Sequence, residues 1–145
     1  MIQNILVVCV GNICRSPMAA ALLKTRLPGV EVVSAGIGAL IGQPADPHVL
    51  SLLDGCGVDA SAHRAQQLTE RLCSGAQLIL VMEQVHKDHI ERLYPVARGK
   101  VFRLGSHDRH DIFDPYGQSR ERFDDCYALI APAVDKWASS VAKLA

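Results

Sequence analysis

An apolar run, Ile5-Leu6-Val7-Val8, passes directly into Cys9-Val10-Gly11-Asn12-Ile13-Cys14-Arg15-Ser16-Pro17, and that into Met18-Ala19-Ala20-Ala21-Leu22-Leu23-Lys24. The first run is partly β-branched and does not alternate with polar residues, which predicts a parallel strand covered on both faces. The last is rich in strong helix formers, with Ser16 placed to cap it and Pro17 suited to its first position. A strand that turns at once into a helix commits the chain to an α/β architecture. It also leaves Cys9 to Ser16 at the carboxyl end of the strand. There the helix dipole and the loop N–H groups point at one spot, a geometry that binds a phosphate-sized anion.

The residue types in that loop fit a particular chemistry. A thiol attacks only as its thiolate. Loop N–H groups, the helix N-terminus and the Arg15 charge all stabilise negative charge on Cys9. Arg15 adds a planar fork that grips two phosphate oxygens at once, which Lys could not do. Gly11 permits close backbone approach, and Asn12 is among the few non-glycine residues that tolerate φ > 0. The Ser16 hydroxyl can donate to the sulfur. Val10, Ile13 and Cys14 complete the cradle. A Cys at a strand end is often only a small hydrophobe. Here Gly, Asn, Ser and Pro each stand where the strand-to-helix turn requires them.

The rest of the chain repeats the opening pattern. Val30 to Ser34 reads as a second strand, and Ala35 to Pro47 as a Gly- and Pro-rich loop. Asp46-Pro47 opens a helix that runs to Gly55. Arg64 to Ser74 reads as a further helix. Gln77 to Met82 is a buried strand, Glu83 to Tyr94 a helix ended by Pro95, and Lys100 to Leu104 a last strand. Gly105 to Gly117 is a polar loop. Phe123, Tyr127, Ile130, Val134, Trp137, Val141 and Leu144 then recur at three and four, one apolar stripe on a long closing helix that Pro132 should kink or loosen. The expected fold is a single three-layer α/β domain over residues 1–145, a four-stranded parallel sheet with helices on both faces. Ligands of such sheets bind beyond the strands' carboxyl ends. Cys9, Ser34, Met82-Glu83 and the loop after Leu104 share that edge.

Composition excludes several function classes. Formal net charge is zero, so no global field draws the protein to nucleic acid or to a membrane surface. No run approaches transmembrane length, and a strand begins at once, with no signal-type leader. The 5 cysteines are odd in number and scattered, which argues for free thiols in a cytoplasmic setting. Glu83, His86 and His89 recur every three residues, and His107, His110 and Asp111 cluster in a loop. A solvated helix face and a polar loop account for both, so no metal and no cofactor are expected.

A phosphate ester also needs its leaving oxygen protonated. Asp114-Pro115-Tyr116-Gly117, in the loop after the last strand, supplies a carboxylate with its backbone fixed by proline and a tyrosine beside it for a pocket wall. Asp114 is assigned as general acid for the first step, and as base toward water in the second. Arg103, His107, Arg109 and His110 flank the expected mouth.

With these residues in hand, the chain resembles the low-molecular-weight protein tyrosine phosphatases over essentially its full length. The likeness rests on Cys9 to Pro17 after the first strand, Ser34-Ala35 after the second, and Asp114-Pro115-Tyr116 near the last helix. The resemblance implies that Cys9 is the nucleophile, Arg15 the phosphate ligand and Asp114 the acid. It implies that Asn12, Ser34 and His63 hold the loop in shape, that Ser16 stabilises the thiolate, and that Cys14 can pair with an oxidised Cys9. Ser34 to Pro47 is similar to bacterial members that act with capsule and exopolysaccharide export systems. Their partner is a membrane tyrosine autokinase with a tyrosine-rich tail, so the resemblance implies dephosphorylation of such a kinase. Leu40 stands where animal members carry an aromatic, and Tyr116 is a single tyrosine where they have two. Both departures imply a more open mouth.

Three other readings have residues to answer to. An arsenate reductase on this fold needs further cysteines after the strand ending at Met82, and Glu83-Gln-Val-His-Lys-Asp-His-Ile holds none. A phosphocysteine carrier needs neither Arg15 nor Asp114. A catalytically dead phosphotyrosine-binding module needs no intact Cys, Arg and Asp set.

Overall fold

A computed structural model describes residues 1–144. Four parallel strands form one sheet in the order β2-β1-β3-β4: β1 (Asn4–Cys9), β2 (Glu31–Gly36), β3 (Leu78–Val81) and β4 (Val101–Arg103). The helices are α1 (Arg15–Arg26), α2 (Pro47–Asp54), α3 (Glu70–Gly75), α4 (Gln84–Leu93) and α5 (Arg120–Ala142). Short 3-10 turns stand at Pro95–Ala97 and Ser106–Asp108.

Because β1 is central, its alternate residues feed two cores. Ile5, Val7 and Cys9 face one cluster, with Met18, Leu22 and Leu23 of α1, Val49 and Leu53 of α2, and Phe123, Ile130 and Val134 of α5. Leu6 and Val8 face the other, with Cys73 of α3 and Ile90 of α4. That two-faced burial explains the unbroken apolar run of β1, and it gives the predicted three layers.

Several boundaries differ from those the sequence predicts. Ser16 is not a cap. Helix α1 begins at Arg15, its N-cap position is Cys14, and no side chain caps it. The Ser16 hydroxyl is engaged by Cys9 and Asn12 instead. The predicted helix Arg64–Ser74 forms only from Glu70, with the Thr69 hydroxyl accepting from the Leu72 N–H. Residues before it stay extended because they are tied to the loop beside β2: Gln67 bridges Gly36, and its side chain bonds Ala39 and Ile37. Strand β2 runs two residues past Ser34 to Gly36. Helix α5 continues unbroken through Pro132. Pro132 and Ala128, whose carbonyl loses its helical donor, both lie on the exposed side, where water can serve instead. The stripe on α5 is buried at Phe123, Ile130, Val134 and Val141, but its last member, Leu144, is exposed.

Candidate active site

The loop after β1 is held by backbone bonds from Gly38, Leu40 and Asp46 to the Val10, Gly11 and Ile13 carbonyls and by a set of polar side chains centred on Asn12. Asn12 adopts φ 60°, the conformation its residue type allows without much cost. Its side-chain amide donates to Ser16 Oγ at 2.8 Å and to Ser34 Oγ at 3.0 Å. Its Oδ1 accepts from the Gln66 N–H at 2.9 Å, and its carbonyl meets His63 Nε2 at 2.7 Å. Asn12 and Ser16 are fully buried, so each of these bonds replaces water that has no access.

The Cys9 sulfur lies 2.9 Å from Ser16 Oγ. Ser16 Oγ accepts from Asn12, which leaves its own proton free to point at sulfur. His63 is half-buried, and burial holds its titration below the ordinary 6.5 despite the Asn12 carbonyl. The neutral ring therefore presents Nε2–H to that carbonyl. Gly36 is the tight glycine here, rather than Gly11: a Cβ on Gly36 would press on the Val10 carbonyl and lie 3.1 Å from the backbone nitrogen of Asn12, whereas one on Gly11 would meet only Leu40 and Ile13 side chains at 3.8 Å or more.

Arg15 is 1% exposed, and a buried guanidinium is costly unless it is paired. Its Nη1 donates to Glu83 Oε2 at 2.6 Å and to the Ile112 carbonyl at 2.8 Å. Nη2 lies 3.6 Å from Asp114 Oδ2. Its Nε is buried without a partner among the described residues, an open donor in a site otherwise satisfied.

Asp114 reaches the loop from the far side. Its Oδ1 accepts from the Tyr116 N–H at 3.0 Å and its carbonyl accepts from Gln118, while the carboxylate stays 44% exposed. Together Cys9, Val10, Gly11, Ile13, Cys14, Arg15, Gly38, Leu40, Asp114 and Tyr116 line a pocket of about 150 Å³. Leu40 and Tyr116 form its partly exposed rim. Cys14 lines the pocket beside Cys9, and burial drives its thiol far above the ordinary range, with Asp46 and Cys9 adding to the effect. Burial likewise pushes Cys126 up to about 12. Both stay protonated at neutral pH.

Cys9, Asn12, Arg15, Ser16, Ser34, Leu40, His63, Asp114 and Tyr116 converge here. The pocket lining does not include the flanking cations. Arg103 pairs with Asp111 at 3.0 Å. His107 packs edge-on against Trp137 and bonds Ser140. His86 is buried at 6% exposure, not on a solvated helix face. Three supports escape the sequence reading: Glu83, the Ile112 carbonyl and Gln66. Only Glu83 left a signal, because it follows β3 at the sheet's carboxyl edge. Among the described residues, no group of three or more His, Cys, Asp or Glu is placed to hold a metal ion.

The sequence profile of the family described as low molecular weight phosphotyrosine protein phosphatase matches residues 4–145. A relative from Ralstonia nicotianae, called probable low molecular weight protein-tyrosine-phosphatase EpsP, is 51% identical over 144 residues, 99% of each chain. The solved structure of Vibrio vulnificus Wzb in complex with benzylphosphonate is 45% identical, covers 97% of this chain and 99% of that one, and superposes with a TM-score of 0.93. The YwlE arginine phosphatase from Geobacillus stearothermophilus is 39% identical, covers 97% and 94%, and gives 0.91.

Proposed function

The chain belongs to the low molecular weight phosphotyrosine protein phosphatase family, and from that premise we propose that it hydrolyses protein phosphotyrosine through a cysteinyl-phosphate formed on Cys9. The observation that carries this reading is the buried Cys9–Ser16 contact in a pocket that also holds Arg15 and Asp114. The Cys9 thiolate attacks phosphorus, and the bond to the tyrosine oxygen breaks. Asp114 gives that oxygen its proton through Oδ2, the oxygen not tied to the Tyr116 N–H. Arg15 receives the equatorial phosphate oxygens on Nε and Nη2, donors that Glu83 and Ile112 leave free. Water then attacks phosphorus, Asp114 takes its proton, and the P–S bond breaks to return the thiolate, which the Ser16 hydroxyl stabilises.

The rim supports an aryl ester. Leu40, Tyr116 and Ile13 offer apolar faces to a ring, and the Vibrio relative was solved with benzylphosphonate, which pairs a phenyl ring with a phosphorus oxyanion. Among the described residues the pocket lining offers a phosphoarginine guanidinium no carboxylate beyond Asp114. The physiological substrate is a membrane tyrosine autokinase of polysaccharide export, whose dephosphorylation regulates exopolysaccharide or capsule production. The sequence from Ser34 to Pro47 supports that partner. Action in the cytoplasm accords with 5 cysteines that are all free, and no described helix is long and apolar enough to cross a membrane.

The test is hydrolysis of p-nitrophenyl phosphate, a phosphotyrosine peptide and a phosphoarginine peptide at mildly acidic pH, beside Cys9→Ser. Cys9-dependent turnover of the phosphotyrosine peptide supports the reading. Preference for phosphoarginine, or reduction of arsenate with thiols and no ester hydrolysis, sinks it.

A further inference from the structure

One buried titratable group outside the pocket touches the anchor of Arg15. His86 lies in the first turn of α4, and its Nε2 stands 3.5 Å from Glu83 Oε2. That oxygen is the one that receives Arg15 Nη1 at 2.6 Å. The other imidazole nitrogen, Nδ1, is buried without a partner among the described residues, as is Arg15 Nε. A guanidinium and an imidazole thus converge on one carboxylate oxygen, and each keeps an unused nitrogen.

We propose that His86 is a positioning residue for Arg15: on gaining a proton it takes Glu83 Oε2 to itself and releases the guanidinium to the bound oxyanion. The proposal deepens the phosphatase reading and rests on Arg15 as the anion ligand, but it does not depend on turnover.

The chemistry follows from the contacts. A carboxylate oxygen only accepts, so neutral His86 points Nε2–H at Glu83 and leaves Nδ1 as the acceptor without a donor. At 3.5 Å that contact is weak, and Arg15 holds the shorter bond. Protonation converts it into a charge-assisted bond that competes on equal terms. An arginine whose charge is shared between Glu83 and a ligand holds each less firmly. Once Glu83 turns to His86, the Arg15 charge is left for the ligand.

The charged groups that face His86 are Arg15 from α1, Glu83 at the head of α4, and Asp111 and Asp114 from the loop after β4. Burial and the Arg15 charge hold its titration below the ordinary 6.5, against the pull of the three carboxylates. The imidazole is therefore neutral at pH 7 and gains its proton on the acid side. An oxyanion on Arg15 offsets that arginine's repulsion and raises the midpoint. By linkage, the proton on His86 tightens oxyanion binding by the same factor.

Inorganic sulfate is the probe, because it stays a dianion across this range while phosphate does not. Its inhibition constant against p-nitrophenyl phosphate is measured from pH 7.5 to 5.0 for the native protein and for His86→Gln, which keeps a donor and cannot titrate. The native protein should gain about fivefold more in sulfate affinity over that range than the variant. Parallel curves overturn the proposal. If the variant does not fold, a ¹⁵N NMR titration of the native imidazole reads the same linkage without any turnover. Its midpoint should rise on saturation with sulfate, and an unmoved midpoint overturns the proposal. Loss of turnover in the native protein with this coupling intact would sink the phosphatase reading alone.

Discussion

The two loops that form the pocket are built by opposite means. The loop after β1 is interior: Cys9, Asn12, Arg15 and Ser16 are each 2% exposed or less, and Asn12 alone makes contacts to Ser16, Ser34, Gln66 and His63. The loop after β4 is a surface segment. It is pinned by Ile112, whose N–H bonds the Met82 carbonyl at 2.8 Å and whose carbonyl holds Arg15. Beyond that pin Asp114 and Tyr116 are both exposed. The difference matches the demands on each loop. Groups that meet the phosphoryl charge must be fixed before substrate arrives, since reorganisation at that point raises the barrier. A proton donor needs reach and access to water for the second step, so a short exposed segment serves.

The largest effect should come from the interior loop. Cys9→Ser should lower kcat by at least about 10⁴-fold on every phosphate ester tested. A variant within tenfold of native activity on p-nitrophenyl phosphate would remove Cys9 as nucleophile. On the surface loop, Asp114→Asn should be selective for the leaving group. It should cost about 10²- to 10³-fold on phenyl phosphate and much less on p-nitrophenyl phosphate, whose phenolate leaves without help. Equal losses on both esters would mean that another group is the acid.

Smaller changes probe the packing behind the interior loop. Gly36→Ala pushes a methyl against the Val10 carbonyl and the Asn12 backbone. It should cost about 1–3 kcal/mol, read as a lower denaturant midpoint with a fall in kcat. An unchanged midpoint would show that the loop can give way there. The smallest effect is a slope. His63 is held below 6.5 by burial, so as pH falls below that value the unfolded chain takes up the proton before the native state does. Stability attributable to His63 is complete above 6.5 and is lost as pH falls toward the lower native value. His63→Gln should flatten the decline in unfolding free energy between pH 7.5 and 5.0. Identical slopes would mean that His63 is already solvated in the native state.

What the sequence made legible were the local matters. The strand, the turn and the helix at Ile5 to Lys24 follow from patterning, and the positive φ of Asn12 from its residue type. Side chains that serve two masters were harder. Ser16 looks like a cap in sequence, but its hydroxyl is already committed to Cys9 and Asn12, contacts created only when the turn closes. Arg64 to Thr69 has helical composition, yet Gln66 and Gln67 are bonded instead to Asn12, Ser34, Ile37 and Ala39 across the sheet edge. Glu83 lies 68 residues from Arg15, and no local pattern signals that distant pairing. Its place at the end of β3 marked the right edge of the sheet without marking the partner.

The central placement of β1 has one more consequence. Cys9 is the last residue of a strand flanked on both sides, paired with Gly36 of β2, while Val8 pairs with Val81 of β3. Freeing Cys9 by separating β1 from its neighbours would unzip the middle of the sheet and expose both cores. Heat inactivation and loss of the fold should therefore coincide in one transition, and the backbone amide of Cys9 should exchange with solvent deuterium as slowly as the slowest amides in the molecule.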